Sequence, residues 1–418
     1  MTLVETILKV IIWIIYFIFL HYAVYWLSLL FEPTPSTRRK RLKQFPSVTI
    51  AIPLYNEERT IEGTIKSVFA LHYPKDKLRV VCINDGSTDG SKATLERLQK
   101  MYGFEIIHQR NQGKYYALNK VLTTTKTDFF ACLDADSYVS AASLRQLLTD
   151  FDSPQVAAVM PIMTIHEPKN VLMRWQQIEY MTSIFLKVMM QKKNCISVTP
   201  GPFTVFRTEI IKKVGGYRKA HFTEDIEMAL RLQTHNYVLR QSISAFISTK
   251  APDTWRAYYR QRLRWYTGTF LNAKDYVGKL NPLRYGEMGL LQLPMLLCGG
   301  LLTVLAIISI AALKSRQWVT WLRHLALTDF DIITLIRTAK FTFDPYSTDF
   351  FILFCSAMLV LLAIVLMHIS SKCNKITFNR HLTWGAFLFL FIYSTVTAFI
   401  WLSALLRLAF RRIDTWYR

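Results

Sequence analysis

Residues 78–91 read LRVVCINDGSTDGS. Leu78 to Ile83 form a short apolar run with the length and β-branched content of a buried strand. Asn84-Asp85-Gly86-Ser87 closes that run with turn residues, and a helix is predicted over 91–101. The same alternation repeats on both sides. SVTIAIPLY (47–55) reads as a strand, followed by Asn56-Glu57-Glu58 opening a helix through about Phe69. FEIIH (104–108) precedes a helical stretch over 114–122, and DFFACLDAD (128–136) precedes a helix near 141–150. Strands separated by helices predict an α/β, Rossmann-like domain with a mostly parallel sheet and helices on its faces. Ligands of such sheets bind beyond the carboxyl ends of the strands, so the residues closing each strand carry the functional signal.

This domain is flanked by segments of another kind. Residues 10–31 form a nearly uncharged apolar run, long enough for a bilayer core of about 30 Å. Further runs occupy roughly 288–313, 349–371 and 384–406. The expected plan is an anchor over 1–31, a globular domain over 45–250, interfacial helices over 251–285 and about three spans within 286–418. The start, Thr2-Leu3-Val4-Glu5, lacks the basic residues of a signal peptide, and no cleavage signature follows the run. Arg38, Arg39, Lys40, Arg41 and Lys43 after the first run predict a cytoplasmic globular domain in a multi-pass plasma-membrane protein. Three later spans would put Arg407, Arg411, Arg412 and Arg418 outside, against the same rule, and 315–345 reads as interfacial or membrane-dipping. The six cysteines have no paired metal-ligand spacing and read as buried free thiols of a reducing compartment.

The net charge of +22 carries no base-reading motif, which excludes nucleic acid as the expected partner. Anionic lipid headgroups and a phosphorylated substrate account for it better. Charged residues are sparse within the apolar runs, His21 and His368 being the main exceptions, which argues against a solute transporter.

Four strand-end and helix-end motifs bear on chemistry. Asp85 stands in the turn after the second strand, without the GxGxxG of a dinucleotide site. Asp134 and Asp136 lie two residues apart, which on a strand puts both carboxylates on one side. Paired carboxylates repel unless a cation stands between them, and oxygen ligands of this kind suit Mg²⁺ or Mn²⁺. Thr223-Glu224-Asp225 precedes an amphipathic helix; it reads either as a cap with acidic first turn or as the seat of a general base, Asp225. In QRLRW (261–265), Gln261, Arg264 and Trp265 share a helix face. Arginine holds diphosphate, and indole offers a flat surface for a sugar ring. Taken alone the segment also fits an interfacial anchor.

Together and in this order the motifs resemble the processive family 2 glycosyltransferases, the synthases of cellulose, chitin, hyaluronan and poly-N-acetylglucosamine. The resemblance covers roughly 45–285 and implies a GT-A fold and an inverting enzyme that polymerises a UDP-sugar, N-acetylglucosamine or glucose, into a β-linked polysaccharide and helps pass it outward. It implies that Asp85 and Lys114, in the Asn111-Gln112-Gly113-Lys114 stretch, contact the nucleotide. Asp134 would help bind it, and Asp136 would coordinate Mg²⁺ or Mn²⁺ on the diphosphate. Asp225 would deprotonate the acceptor, with Glu224 beside it. Gln261, Arg264 and Trp265 would hold the diphosphate and the acceptor end, and Gly201, in SVTPGPFTVFR (197–207), would lie near the acceptor. The implied partners are a UDP-sugar, the growing polysaccharide and membrane lipids. The alternative is a lipid glycosyltransferase adding one sugar to ceramide, diacylglycerol or polyprenyl phosphate.

Overall fold

The computed structural model describes residues 3–32, 42, 44–327, 331, 350–377 and 380–410. Its centre is an eight-stranded sheet in the order β3-β2-β1-β4-β7-β6-β8-β5. The strands are β1 (Val48–Leu54), β2 (Leu78–Asp85), β3 (Glu105–Gln109), β4 (Phe129–Cys132), β5 (Ser137–Val139), β6 (Val156–Ile165), β7 (Thr204–Arg207) and β8 (Val238–Thr249). β1 to β4 run parallel, as the alternating pattern predicts. Beyond them the sheet is more mixed than expected: β7 is antiparallel to both β4 and β6, and β5 is antiparallel to β8. These late strands are not joined by simple strand–helix–strand crossovers, so the rule that makes such pairs parallel does not bind them.

All seven residues of β1 are buried, which is why it reads as an unbroken apolar run. Alternation along the strands feeds two cores. Ile50, Ile52 and Cys82 face one, closed by Ile61, Ile65 and Val68 of α2 (Ile61–Phe69) and by Leu95 and Leu98 of α3 (Ser91–Tyr102). Ala51, Val81 and Ile83 face the other, closed by Leu118 and Val121 of the helix Lys114–Thr124 and by Phe185 of the helix Val171–Met190. The helix after β1 starts at Ile61 rather than at the acidic triplet, which stays in the loop.

β1 lies between β2 and β4: the chain steps outward from β1 to β2 and β3, then crosses back to the other side of β1 to form β4. That is a topological switch point, where strand ends diverge and open a crevice.

Four described helices are long and apolar enough to cross a membrane: Leu3–Phe31, Met288–Ser315, Phe350–Cys373 and Ile392–Ala409. The second belongs to a continuous helix reaching Leu327, so the first part of the expected interfacial segment extends that helix. Phe330, Ile333 and Ile336, the basic cluster from Arg38 to Lys43, and Arg411, Arg412 and Arg418 lie outside the described residues. Lys192 donates to the carbonyls of Leu29 (2.6 Å) and Glu32 (2.7 Å), fastening the end of the first apolar helix to the globular domain. Tyr25 donates to Glu287 at 3.0 Å, and Gln292 joins Tyr22 to Ser197. The cysteines are free, but Cys298 is exposed and Cys373 half-buried, since both stand on apolar helices beyond the sheet.

Behind the sheet, Arg231 and Glu227 form a buried pair at 2.9 Å on the helix Glu224–Thr234. Arg231 also donates to the carbonyls of Val214 (2.6 Å) and Gly216 (2.7 Å), and Tyr276 donates to Glu227 at 2.8 Å. Removing one partner strands the other charge. Arg231→Met is expected to lower stability by about 3–5 kcal/mol, read as an earlier unfolding midpoint of the detergent-solubilised protein.

Candidate active site

At the carboxyl ends of β1, β2 and β4 opens a recess of about 320 Å³ whose lining includes Glu57, Asp85, Lys114, Asp134, Asp136 and Arg264. β4 ends at Cys132, so Asp134 and Asp136 stand on a turn rather than on the strand, with the Ser137 amide donating to the Asp134 carbonyl at 3.1 Å. Turn geometry, not strand spacing, is what aims both carboxylates into the recess.

Lys114 occupies the middle of the charge arrangement. Its Nζ lies 2.6 Å from Asp134 Oδ1 and 3.1 Å from Glu224 Oε1, tying the β4 turn to the first turn of the helix Glu224–Thr234. Burial alone would pull its pKa down, but the two carboxylates reverse this and hold it well above the usual lysine value. For Glu224, burial pushes up, and Lys114 overcomes it to leave the carboxyl below its ordinary value. A Cβ at Gly201 would collide with Lys114 Nζ and come within 2.8 Å of Asp134, so a side chain at this position would displace the ends of that pair.

Asp85 lines the recess, and its carboxylate is already bonded within the protein. It accepts from Gln109 Nε2 (2.8 Å), the Gln112 amide (3.0 Å) and the Gly113 amide (2.9 Å). These bonds clamp the loop that starts the helix of Lys114.

Asp136 accepts from Ser137 (3.1 Å) and Thr249 (3.3 Å) hydroxyls. Burial, then the charges of Asp134 and Glu57, raise its pKa to about 6. The recess is therefore short of positive charge next to Asp136. No cluster of three or more metal-ligating side chains occurs among the described residues. Mg²⁺ and Mn²⁺ are commonly held by one or two carboxylates plus water and a substrate diphosphate, so the residues present fit such an ion.

Asp225 is also raised to about 6, by burial first and then by Glu224. Its Oδ1 accepts from the Ile226 amide at 2.9 Å, and its carbonyl accepts from the Thr199 amide and hydroxyl. Thr223 does not cap the helix, against one expectation. Asn272 of the helix Trp255–Tyr276 donates instead to the Thr223 hydroxyl (2.8 Å) and carbonyl (3.0 Å). Gly268 allows that approach, since a Cβ there would meet Thr223 Oγ1 at 2.5 Å.

The same helix carries QRLRW. Arg264 is exposed and lines the recess, whereas Trp265 is half-buried beside Ile165, Met173 and Tyr180. Gln261 does not reach the recess lining; its Oε1 accepts from Arg262.

Three participants escaped the sequence reading. Glu57, taken as a helix opener, lines the recess; its position just past β1 was the available signal. Thr249 lies 113 residues beyond Asp136 and arrives through its pairing with Ser137, which no local pattern announces. Lys187 is buried, and burial pulls its ammonium down to about 8 against the opposing effect of Asp225.

Residues 49–215 match the model for glycosyl transferase family 2. Over that stretch the chain is similar to family 2 glycosyltransferases. A Bacillus subtilis (strain 168) protein, "Probable glycosyltransferase YdaM", is 30% identical over 249 residues, 57% of this chain and 59% of that protein. Poly-beta-1,6-N-acetyl-D-glucosamine synthases of Staphylococcus epidermidis (28% over 229 residues) and Staphylococcus aureus strain COL (29% over 228 residues) match 54% of this chain and 55% of theirs. The matched stretch thus spans little more than half the length of these relatives. The solved mannosyltransferase PcManGT from Pyrobaculum calidifontis, in complex with GDP-Man and Mn²⁺, superposes with a TM-score of 0.62 at 18% identity, covering 97% of this chain and 98% of that one. The sheet is accordingly a GT-A, Rossmann-like fold.

Gly201→Ala is expected to push Lys114 off Asp134 and lower stability by about 1.5–3 kcal/mol, the worth of a hydrogen bond to a charged group. An earlier thermal midpoint of the solubilised protein checks this; an unchanged midpoint would show that the lysine end yields to the methyl group at no cost.

Proposed function

We propose that this chain is an inverting, processive membrane glycosyltransferase. It would polymerise a UDP-sugar, N-acetylglucosamine or glucose, into a β-linked polysaccharide and help pass it across the plasma membrane. Residues 45–250 would be the transfer unit on the cytoplasmic side, 251–285 the collar, and 1–31 with 286–418 the membrane part. The observation that carries the proposal is the shared recess: Asp134, Asp136, Lys114 and Arg264 line one cavity, and Lys114 links it to Glu224, next to Asp225. The family 2 match, the poly-N-acetylglucosamine synthases among the relatives and the four apolar helices favour a polymer made at a membrane.

The chemistry is a single displacement. Asp225 takes the acceptor hydroxyl proton as that oxygen bonds to the anomeric carbon from the face opposite the diphosphate. The bond from anomeric carbon to diphosphate oxygen breaks, its electron pair leaves with UDP, and the configuration inverts. A Mg²⁺ or Mn²⁺ ion held by Asp136, when bound, supplies positive charge for the departing diphosphate. Arg264 at the rim offers a planar fork of donors to the same oxygens. Lys114 and Asp134 would fix the nucleotide side of the donor, and Asp85 would act through the Gln112-Gly113 loop. Trp265 would support the acceptor end by stacking.

Membranes containing the full chain, incubated with labelled UDP-N-acetylglucosamine or UDP-glucose and Mg²⁺ or Mn²⁺, should yield long, alkali-stable polymer. A single labelled sugar on a lipid would instead establish the lipid glycosyltransferase reading.

Asp225 must be ionised to act as base, so its raised pKa places the acid limb of the rate–pH profile near pH 6, with activity lost below it. Asp225→Asn should lower the transfer rate roughly 10²–10⁴-fold. The stability effect runs the other way. A carboxyl with a raised folded-state pKa loses stability as pH climbs from its unfolded value toward 6, and the loss persists above that. The neutral asparagine escapes it, so the variant should unfold later than the parent at pH 7. An inactive variant with an unaltered melting curve would contradict the charge argument, and an active one would remove the base assignment.

A further inference from the structure

Arg262 is the middle charge of QRLRW, and it is fully buried. It lies two positions before Arg264 and therefore points away from it on the helix. Its Nε donates to Glu179 Oε1 at 3.1 Å, its Nη2 to Glu179 Oε2 at 2.6 Å, and its Nη1 to Gln261 Oε1. Each of its nitrogens already has a protein acceptor, unlike a residue aimed at a ligand. Tyr393, in the last apolar helix, donates to Glu179 Oε1 at 3.2 Å. The guanidinium also lies over aromatic rings, 4.2 Å from the Trp265 centroid and 4.6 Å from that of Tyr258. One buried cation thus joins three elements: the helix Val171–Met190 through Glu179, the helix Trp255–Tyr276 that bears it, and the helix Arg380–Ala409 through Tyr393.

Burying an ion pair is costly unless the geometry is well satisfied, and an apolar cluster would fill this volume at less expense. The bidentate Glu179 fork fixes the plane of the guanidinium, and the ring of Trp265 lies against it. The position of that ring is thereby referred to the last apolar helix rather than to the nucleotide recess, whose lining does not include Trp265.

We infer that Arg262, clasped by Glu179 and through it by Tyr393, is a positioning residue that holds Trp265 as the resting surface of the acceptor end and so sets how many sugars are added before release. This rests on the polymerase reading above. It assigns Arg262 a task separate from that of Arg264: the exposed arginine serves the donor diphosphate, the buried one serves retention of the product.

The test uses the full chain in its membranes with labelled UDP-N-acetylglucosamine and UDP-glucose, reading product length, donor KM and thermal midpoint. Three variants are compared with the parent. Arg262→Lys keeps the charge but loses the fork. Tyr393→Phe removes one hydrogen bond to Glu179. Glu179→Gln with Arg262→Gln removes both charges, so neither is left stranded. The expected result is loss of the long product in the double variant and Arg262→Lys, a smaller shortening in Tyr393→Phe, and a donor KM equal to the parent's. Products of parental length in Arg262→Lys and in whichever other variants fold would overturn the inference. A raised donor KM with unchanged length would overturn it too, by moving Arg262 into the donor site. Should the parent itself add only one sugar to a lipid, the polymerase reading fails first and the inference goes with it; a parent that polymerises beside variants of equal length defeats the inference alone.

Discussion

One ammonium group holds the centre of this molecule in register. Lys114 reaches Asp134 on the turn after β4 and Glu224 at the start of the helix Glu224–Thr234, two carboxylates from segments about ninety residues apart in sequence. Without a cation between them, Asp134, Asp136, Glu57, Glu224 and Asp225 would repel one another across a partly buried space. The lysine is itself placed by Asp85, whose carboxylate is spent on the amides of Gln112 and Gly113 just before the lysine's helix begins. Gly201 leaves room for the contact from the other side. The turn after β4 and the start of the helix Glu224–Thr234 are thus coupled through one side chain.

The second arrangement is mechanical. The helix Trp255–Tyr276 faces the recess with Arg264, touches the Thr223 segment through Gly268 and Asn272, and meets the last apolar helix through a parallel stack of Tyr266 on Trp401 with centroids 4.6 Å apart. It is therefore the element through which a displacement of the apolar helices would reach the carboxylates. Apolar helices and globular domain are also joined at Lys192, Glu287 and Gln292, so the sheet does not hang from a single tether.

Much of the site was legible before any coordinates. Asp134, Asp136, Lys114 and Arg264 line one recess, and Glu224 and Asp225 adjoin it, because motifs closing strands of a wound sheet must converge at one edge. What misled was local geometry. Strand spacing seemed to aim Asp134 and Asp136, yet the strand stops at Cys132 and a turn does the aiming. Thr223 looked like a helix cap, yet its hydroxyl is claimed by Asn272 from a helix far along the chain. The internal bonds of Asp85 and Gln261 were not legible either, since their partners are fixed by loop and helix geometry.

The amino-acid sequence by itself determined the wound α/β domain, the four apolar helices and the residue types at the strand ends, because hydrophobic periodicity and turn chemistry are short-range properties of the chain. Only the tertiary structure decided which carboxylates are free and which are occupied, that Arg262 turns inward while Arg264 turns out, and that Thr249 and Glu57 join the site. Those outcomes depend on long-range pairing and burial: β8 must lie beside β5 before Thr249 can reach Asp136, and a buried guanidinium must find Glu179 before its helix can settle.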